Sequence, residues 1–187
     1  MPGTFVIESN QFNDEDDERQ EGQVLQAMLK LTGRPVLYRY IRTQMELAVI
    51  LKQFHDSRFR YLHLACHGTG TGIALTMETI HFVSLANLLA PVLNDRRLFI
   101  SACNSVRHAL ANPIFKNSSC YSVIGPRGDI TFPKAAISWA SFYSVMSRKA
   151  MNRTKIIQRL DGVCKVFGVR FNAFFPKDGR GHLVVLG

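Results

Sequence analysis

Four cysteines, Cys66, Cys103, Cys120 and Cys164, are too few for a disulfide scaffold in a chain of 187 residues. None sits in a Cys-x-x-Cys pair, so a structural zinc site is not expected. In a reducing compartment they are thiols: most belong in the core, and one is available as a reactive thiolate. No apolar run approaches the roughly 18 residues that cross a bilayer. The longest candidate, 135–146, is broken by Ser138, Ser141 and Ser144 and reads as a buried helix. The opening Met-Pro-Gly-Thr-Phe-Val-Ile-Glu lacks the basic stretch of a signal peptide. These absences predict a soluble, cytoplasmic protein with no membrane partner. Internal repeats and Pro/Ser-rich linkers are also missing, so 1–187 is expected to be one domain. Apolar residues at 47% and charged residues at 20% exclude global disorder.

Charge is plentiful but uneven. The formal net charge is +9, yet the first 25 residues carry seven acids against Arg19 alone, leaving +15 on the rest. A body that basic attracts polyanions or acidic protein surfaces; the plain alternative is a solvated basic surface beside an acidic loop. The five consecutive acids Asp14 to Glu18 are expected to be exposed and partly mobile, since unpaired charges resist burial.

Periodicity predicts alternating elements. Thr4–Ile7 reads as a strand, and Val24, Met28 and Leu31 have helical spacing stopped by Thr32-Gly33. Val36–Ile41 reads as a strand, and Thr43 can cap a helix to about Phe54. Tyr61–Cys66 is a strand ending in His67-Gly68. A glycine-rich stretch then leads into a hairpin of 73–77 and 80–83, followed by a helix capped by Ser84. Leu98–Ala102 is a strand ending at Cys103, with Asn104 or Ser105 as cap of the next helix. Tyr121–Ile124 is a strand, Phe132–Met146 and 153–167 are helices, and Leu183–Leu186 is strand-like. Such alternation implies an α/β fold: a mostly parallel sheet with helices on both faces, and sites beyond the carboxyl ends of its strands.

Two strand ends carry the chemistry. Neighbouring parallel strands would place the imidazole of His67 and the sulfur of Cys103 at one sheet edge, which supplies a thiol nucleophile with a general base. A helix start after Cys103 would favour the thiolate through its dipole. Gly68 lets backbone approach closely, so its N–H and that of Cys103 can form an oxyanion hole. Taken singly, His67 reads as a structural histidine and Cys103 as a core thiol.

The His-Gly after one strand and Ser-Ala-Cys at the end of the next resemble caspase-fold (clan CD) cysteine peptidases, specifically the bacterial caspase-like group called CHAT. Ser122-Val-Ile-Gly-Pro-Arg-Gly-Asp-Ile, Ala135-Ala136 and Ser141-Phe-Tyr143 agree with it. The resemblance covers about residues 4–146. It implies a caspase-like three-layer sandwich and a cysteine endopeptidase in which His67 and Cys103 form a catalytic dyad without cofactor or metal. It also implies a protein substrate, an activating or inhibiting protein partner, and a role in bacterial defence or regulated cell death. Ser101 stands two residues before Cys103, where relatives that cut after basic residues often carry an acid. Ser101, Arg127 and Asp129 are the substrate-binding candidates, although for Asp129 a structural role as cap of the following helix is the favoured reading. Low intrinsic activity is expected, with Gly68–Gly72 and Gly125–Asp129 as gating loops.

Other residues have plainer readings. Cys66 faces away from His67 and, with Cys120 and Cys164, reads as core. His63 lies about 13 Å along the strand from His67, too far for a shared metal, and reads as structural or as a supporting contact. Gly68–Gly72 lacks the Lys-Ser/Thr of a phosphate loop. Tyr38-Arg-Tyr-Ile-Arg42 interleaves aromatics with cations as nucleic-acid binders do, but also fits a strand with tyrosines packed under a helix, and nucleic acid is not the expected partner. A caspase-fold module that binds without cleaving is the remaining alternative.

Overall fold

The computed structural model describes residues 3–146 and 152–187. In chain order the elements are β1 (Thr4–Glu8), α1 (Phe12–Asp16), α2 (Glu21–Leu31), β2 (Val36–Tyr40), α3 (Gln44–Asp56), β3 (Tyr61–Ala65), β4 (His67–Gly68), β5 (Gly72–Ala74) and β6 (Thr79–His81). There follow α4 (Phe82–Leu89), a 3-10 turn (Ala90–Val92), β7 (Arg97–Ser101), α5 (His108–Asn117), β8 (Ser122–Pro126), α6 (Phe132–Val145), α7 (Arg153–Phe167), β9 (Phe171–Lys177) and β10 (Arg180–Leu186).

Seven strands form one sheet in the order β10-β9-β8-β7-β3-β1-β2. The five from β8 to β2 are parallel, and β9 and β10 add an antiparallel edge. The central parallel strands are mostly apolar on both faces because both are covered, while edge strand β2 is only half-buried. Phe5, Ile7, Leu62, Leu64, Leu98 and Ile100 pack against α3, α4 and α5. The alternate residues Val6, Tyr61 and Phe99 pack against α2, α6 and α7. Period-two alternation therefore divides the core between two helical layers, as the expected sandwich requires. Phe99 anchors the second layer, its ring 5.5–5.8 Å from those of Tyr61, Trp139, Phe142 and Tyr143.

Local signals explain several boundaries. Thr43 caps α3 through a complete capping box with Glu46. Helix α2 ends at Leu31 with Thr32 as its C-cap, and Gly33 takes φ +68°, the left-handed turn that glycine tolerates. Three expectations change. Helix α4 starts at Phe82, with His81 rather than Ser84 as cap. The helix after Cys103 starts only at His108, with Arg107 at the N-cap position and no side-chain cap; Asn104 instead turns the chain with φ +55°, and Ser105 donates from its hydroxyl to the Cys103 carbonyl at 3.1 Å. The C-terminal segment is a long hairpin rather than a lone strand, closed by Asp178 and Gly179, both with positive φ.

The Tyr38–Arg42 stretch is occupied internally. Tyr38 donates to buried Glu8 at 2.8 Å, Tyr40 donates to Glu15, and Arg42 pairs with Glu15 at 2.8 Å. These contacts fit a strand whose side chains pack against the body of the protein. No described helix is long and apolar enough to cross a membrane.

Candidate functional site

The site is set by one register. Ala65 at the end of β3 lies opposite Ser101 at the end of β7. The ladder runs one step further, with the Cys66 N–H donating to the Ser101 carbonyl at 3.0 Å. His67 and Cys103 each follow that register pair by two residues, so both strands deliver their reactive side chains at the same level beyond the sheet. The chain then diverges. His67 and Gly68 turn into a small separate sheet with β5 and β6, while Cys103 enters the turn before α5. Gly68 lies against that turn: a Cβ there would come within 1.7 Å of the Cys103 carbonyl oxygen.

A cavity of about 480 Å³ opens at this point, lined by His67, Ser101, Cys103, Asp14, Glu21 and Phe132 among others. The His67 ring stands edge-on to Phe132 with centroids 5.5 Å apart. Its Nε2 lies 2.6 Å from the Asp14 carboxylate. The Cys103 sulfur receives the Ile130 N–H at 3.3 Å, and its thiol points to the Ile130 carbonyl at 3.5 Å. The helix dipole does not act here as expected, because α5 begins five residues later and its field fades within a turn.

The floor of the cavity is polar and deep. Ser101 donates to Glu21 at 2.9 Å. The other Glu21 oxygen and His63 Nε2 are 3.6 Å apart, beyond hydrogen-bond range, and both are buried without a hydrogen-bond partner. His63 is held from behind by Tyr143 at 3.2 Å and edge-on by Trp139. It is a buried residue held by the core, the structural role that was one of the two readings for it.

Of the sequence candidates, the fold gathers His67, Gly68, Ser101 and Cys103. Arg127 and Asp129 do not line the cavity. Arg127 bonds through its backbone to Arg170. Asp129 accepts from Asn104 at 2.7 Å, fixing the turn beside Cys103, while the cap of α6 is Thr131. Cys66 packs partly against the α3–α5 core and partly lines the cavity; burial pushes its thiol far up. Cys120 and Cys164 are buried as expected. The sequence reading gave no site role to Asp14, Glu21, Ile130 or Phe132, although Ile130 closes the motif that starts at Ser122 and Asp14 opens the acidic run. It also erred on the acidic run. Asp14 is only 6% exposed and sits in α1, although Asp16, Asp17 and Glu18 are exposed. Among the described residues, no group of three or more His, Cys, Asp or Glu could hold a metal ion.

No family model matches the chain, and no curated protein matches it. Solved structures do. One is a secreted C11 cysteine protease from Bacteroides thetaiotaomicron, "iotapain", with a TM-score of 0.52 and 10% identity, covering 94% of this chain and 67% of that one. Another is a secreted C11 cysteine protease from the same organism in complex with an irreversible peptide inhibitor, with a TM-score of 0.57 and 10% identity over 94% and 66% of the two chains. The chain thus spans about two thirds of their length. At such identity the common property is architectural: this chain has the caspase-like α/β fold of the C11 cysteine proteases.

Proposed function

We propose that the protein is a cysteine endopeptidase with His67 and Cys103 as its dyad. The observation that carries this reading is the matched offset of both residues past the Ala65–Ser101 register pair, into one cavity. The Cys103 thiolate attacks the substrate carbonyl carbon, forming a C–S bond and an oxyanion. The N–H groups of Gly68 and Cys103 receive that oxyanion. His67 gives its proton to the leaving amine as the C–N bond breaks, then takes one from the water that hydrolyses the thioester. No step calls for a cofactor. Ser101 meets substrate within the cavity; Arg127 and Asp129 would meet it outside, on the loop before α6.

The substrate is a protein, and the whole chain 1–187 serves as one peptidase domain. The Ser-Ala-Cys and Val-Ile-Gly-Pro-Arg-Gly motifs support a CHAT-type assignment within the fold, and with it a partner-regulated role in bacterial defence or cell death. Four free thiols support a cytoplasmic setting. The test is turnover of a peptide library by the purified chain, with and without candidate partner proteins, against Cys103→Ala and His67→Ala. Cleavage lost in both variants supports the dyad. Absent cleavage, with Cys103 alkylating no faster than Cys120, would leave a caspase-fold binding module instead.

A further inference from the structure

We propose that Asp14 is the positioning residue of His67, and that the acidic segment 12–19 is folded to deliver it. The proposal rests on His67 acting as the acid and base of the site. A carboxylate is rarely buried unless partnered, and Asp14, with its side chain 9% exposed, has two partners. One oxygen lies 2.6 Å from His67 Nε2, and the other lies 3.3 Å from an Arg19 nitrogen. Asp14 stands 53 residues before His67 and arrives from outside the strands that carry the dyad.

The neighbouring contacts hold the segment in place. The Arg19 N–H donates to the Asp14 carbonyl at 2.9 Å, and Asn10 donates from its side chain to the Arg19 carbonyl at 2.8 Å. Glu15, next to Asp14, receives Arg42 through two nitrogens at 3.2 and 2.8 Å and the Tyr40 hydroxyl as well. Charges that looked like a solvated loop thus clamp α1 to the end of β2 and aim Asp14 into the cavity.

The chemistry follows from donor and acceptor roles. An ionised carboxylate only accepts, so the Nε2 facing it carries the proton. The neutral ring then has its lone pair on Nδ1, the nitrogen left to take the proton of the Cys103 thiol. Transfer of that proton makes a thiolate and an imidazolium, and Asp14, remaining ionised, stabilises the imidazolium and keeps the ring from rotating. The Phe132 ring, packed against His67 at 71° with centroids 5.5 Å apart, restricts the same rotation.

The test compares wild type with Asp14→Asn and Asp14→Glu, each checked for folding by its thermal melt. Imidazole nitrogen NMR reads the His67 tautomer, Cys103 alkylation reads its activation, and peptide turnover reads kcat apart from KM. The expectation is an Nε2–H tautomer in wild type and its loss in Asp14→Asn. Alkylation should slow with it, and kcat should fall by roughly 10² to 10⁴ with little change in KM. Asp14→Glu should recover part of each. An unchanged tautomer in folded Asp14→Asn overturns the proposal, as does undiminished or increased turnover, which would make Asp14 a plug. If no form of the chain cleaves peptides, the peptidase reading fails, and the tautomer and alkylation still decide whether Asp14 positions His67.

Discussion

Gly68 lies directly against the backbone of Cys103, so close that a Cβ would stand 1.7 Å from the Cys103 carbonyl oxygen and 2.6 Å from its carbon. The contact exists because the extension of β3 turns off the sheet and crosses the turn that follows β7. It also explains why glycine follows His67: any side chain would push the two site-bearing segments apart.

Gly68→Ala is therefore expected to damage both stability and activity. Backbone, unlike a flexible side-chain tip, cannot swing away, so the overpacking cost is about 1–3 kcal/mol. Thermal melts would show a lowered Tm, and turnover would fall because the Gly68 N–H moves. Wild-type stability and rate in this variant would mean the backbones separate without cost.

Cys103→Ala and His67→Ala are expected to abolish cleavage while leaving the fold intact. Both side chains are only partly buried, at the edge of a cavity rather than in either core layer. Changes away from packed positions cost little, within about 0.5 kcal/mol. Circular dichroism should overlay wild type for both; the melt of Cys103→Ala should match it, and that of His67→Ala should fall modestly because Asp14 loses one of its two partners. A large loss of stability would give these residues a structural role instead.

The cysteines should differ sharply in reactivity. Burial pushes the Cys120 and Cys164 thiols up to about 12 and Cys66 beyond that. At neutral pH almost none of these is thiolate, the form that reacts. Cys103, half-buried and facing the Ile130 N–H, should be alkylated first by iodoacetamide, as read by peptide mass mapping. Equal labelling of Cys66 would contradict this order.

Glu8 should make stability depend on pH. It is fully buried, and burial raises its carboxyl from the ordinary 4.5 to about 7, against the pull of the Gly22 N–H and the Tyr38 hydroxyl. Its folded-state value lies above its unfolded one, so its stabilising contribution is complete below about 4.5 and is lost as pH rises through about 7. The difference amounts to about 3 kcal/mol. Denaturant melts between those limits should show wild type losing stability relative to Glu8→Gln as pH rises. Parallel curves would show that Glu8 does not titrate in the folded protein.

The central strands could be read directly because their apolar runs are short, buried on both faces and bounded by turn residues. The capping box at Thr43 and Glu46 was equally local. Strand β9 escaped notice because Asn172 and Pro176 interrupt its apolar pattern. Yet Asp178-Gly179 carried the hairpin signal, a pair suited to positive φ. Helix α5 was expected too early because Asn104 and Ser105 are good cap residues by type, while here they shape the turn after Cys103.

The residue types at two strand ends, His67-Gly68 and Ser101-Ala102-Cys103, were fixed by sequence alone, since strand, turn and side chain all lie within a few residues. Their meeting was not. It depends on β3 and β7 being neighbours in one register, a choice made by packing across the whole sheet. The same holds more strongly for Asp14 and Glu21. As a sequence, 14–18 is a run of like charges whose cheapest state is solvated. Only the folded body, with Arg42, Tyr40 and Arg19 placed around it, supplies the partners that allow Asp14 to be buried against His67.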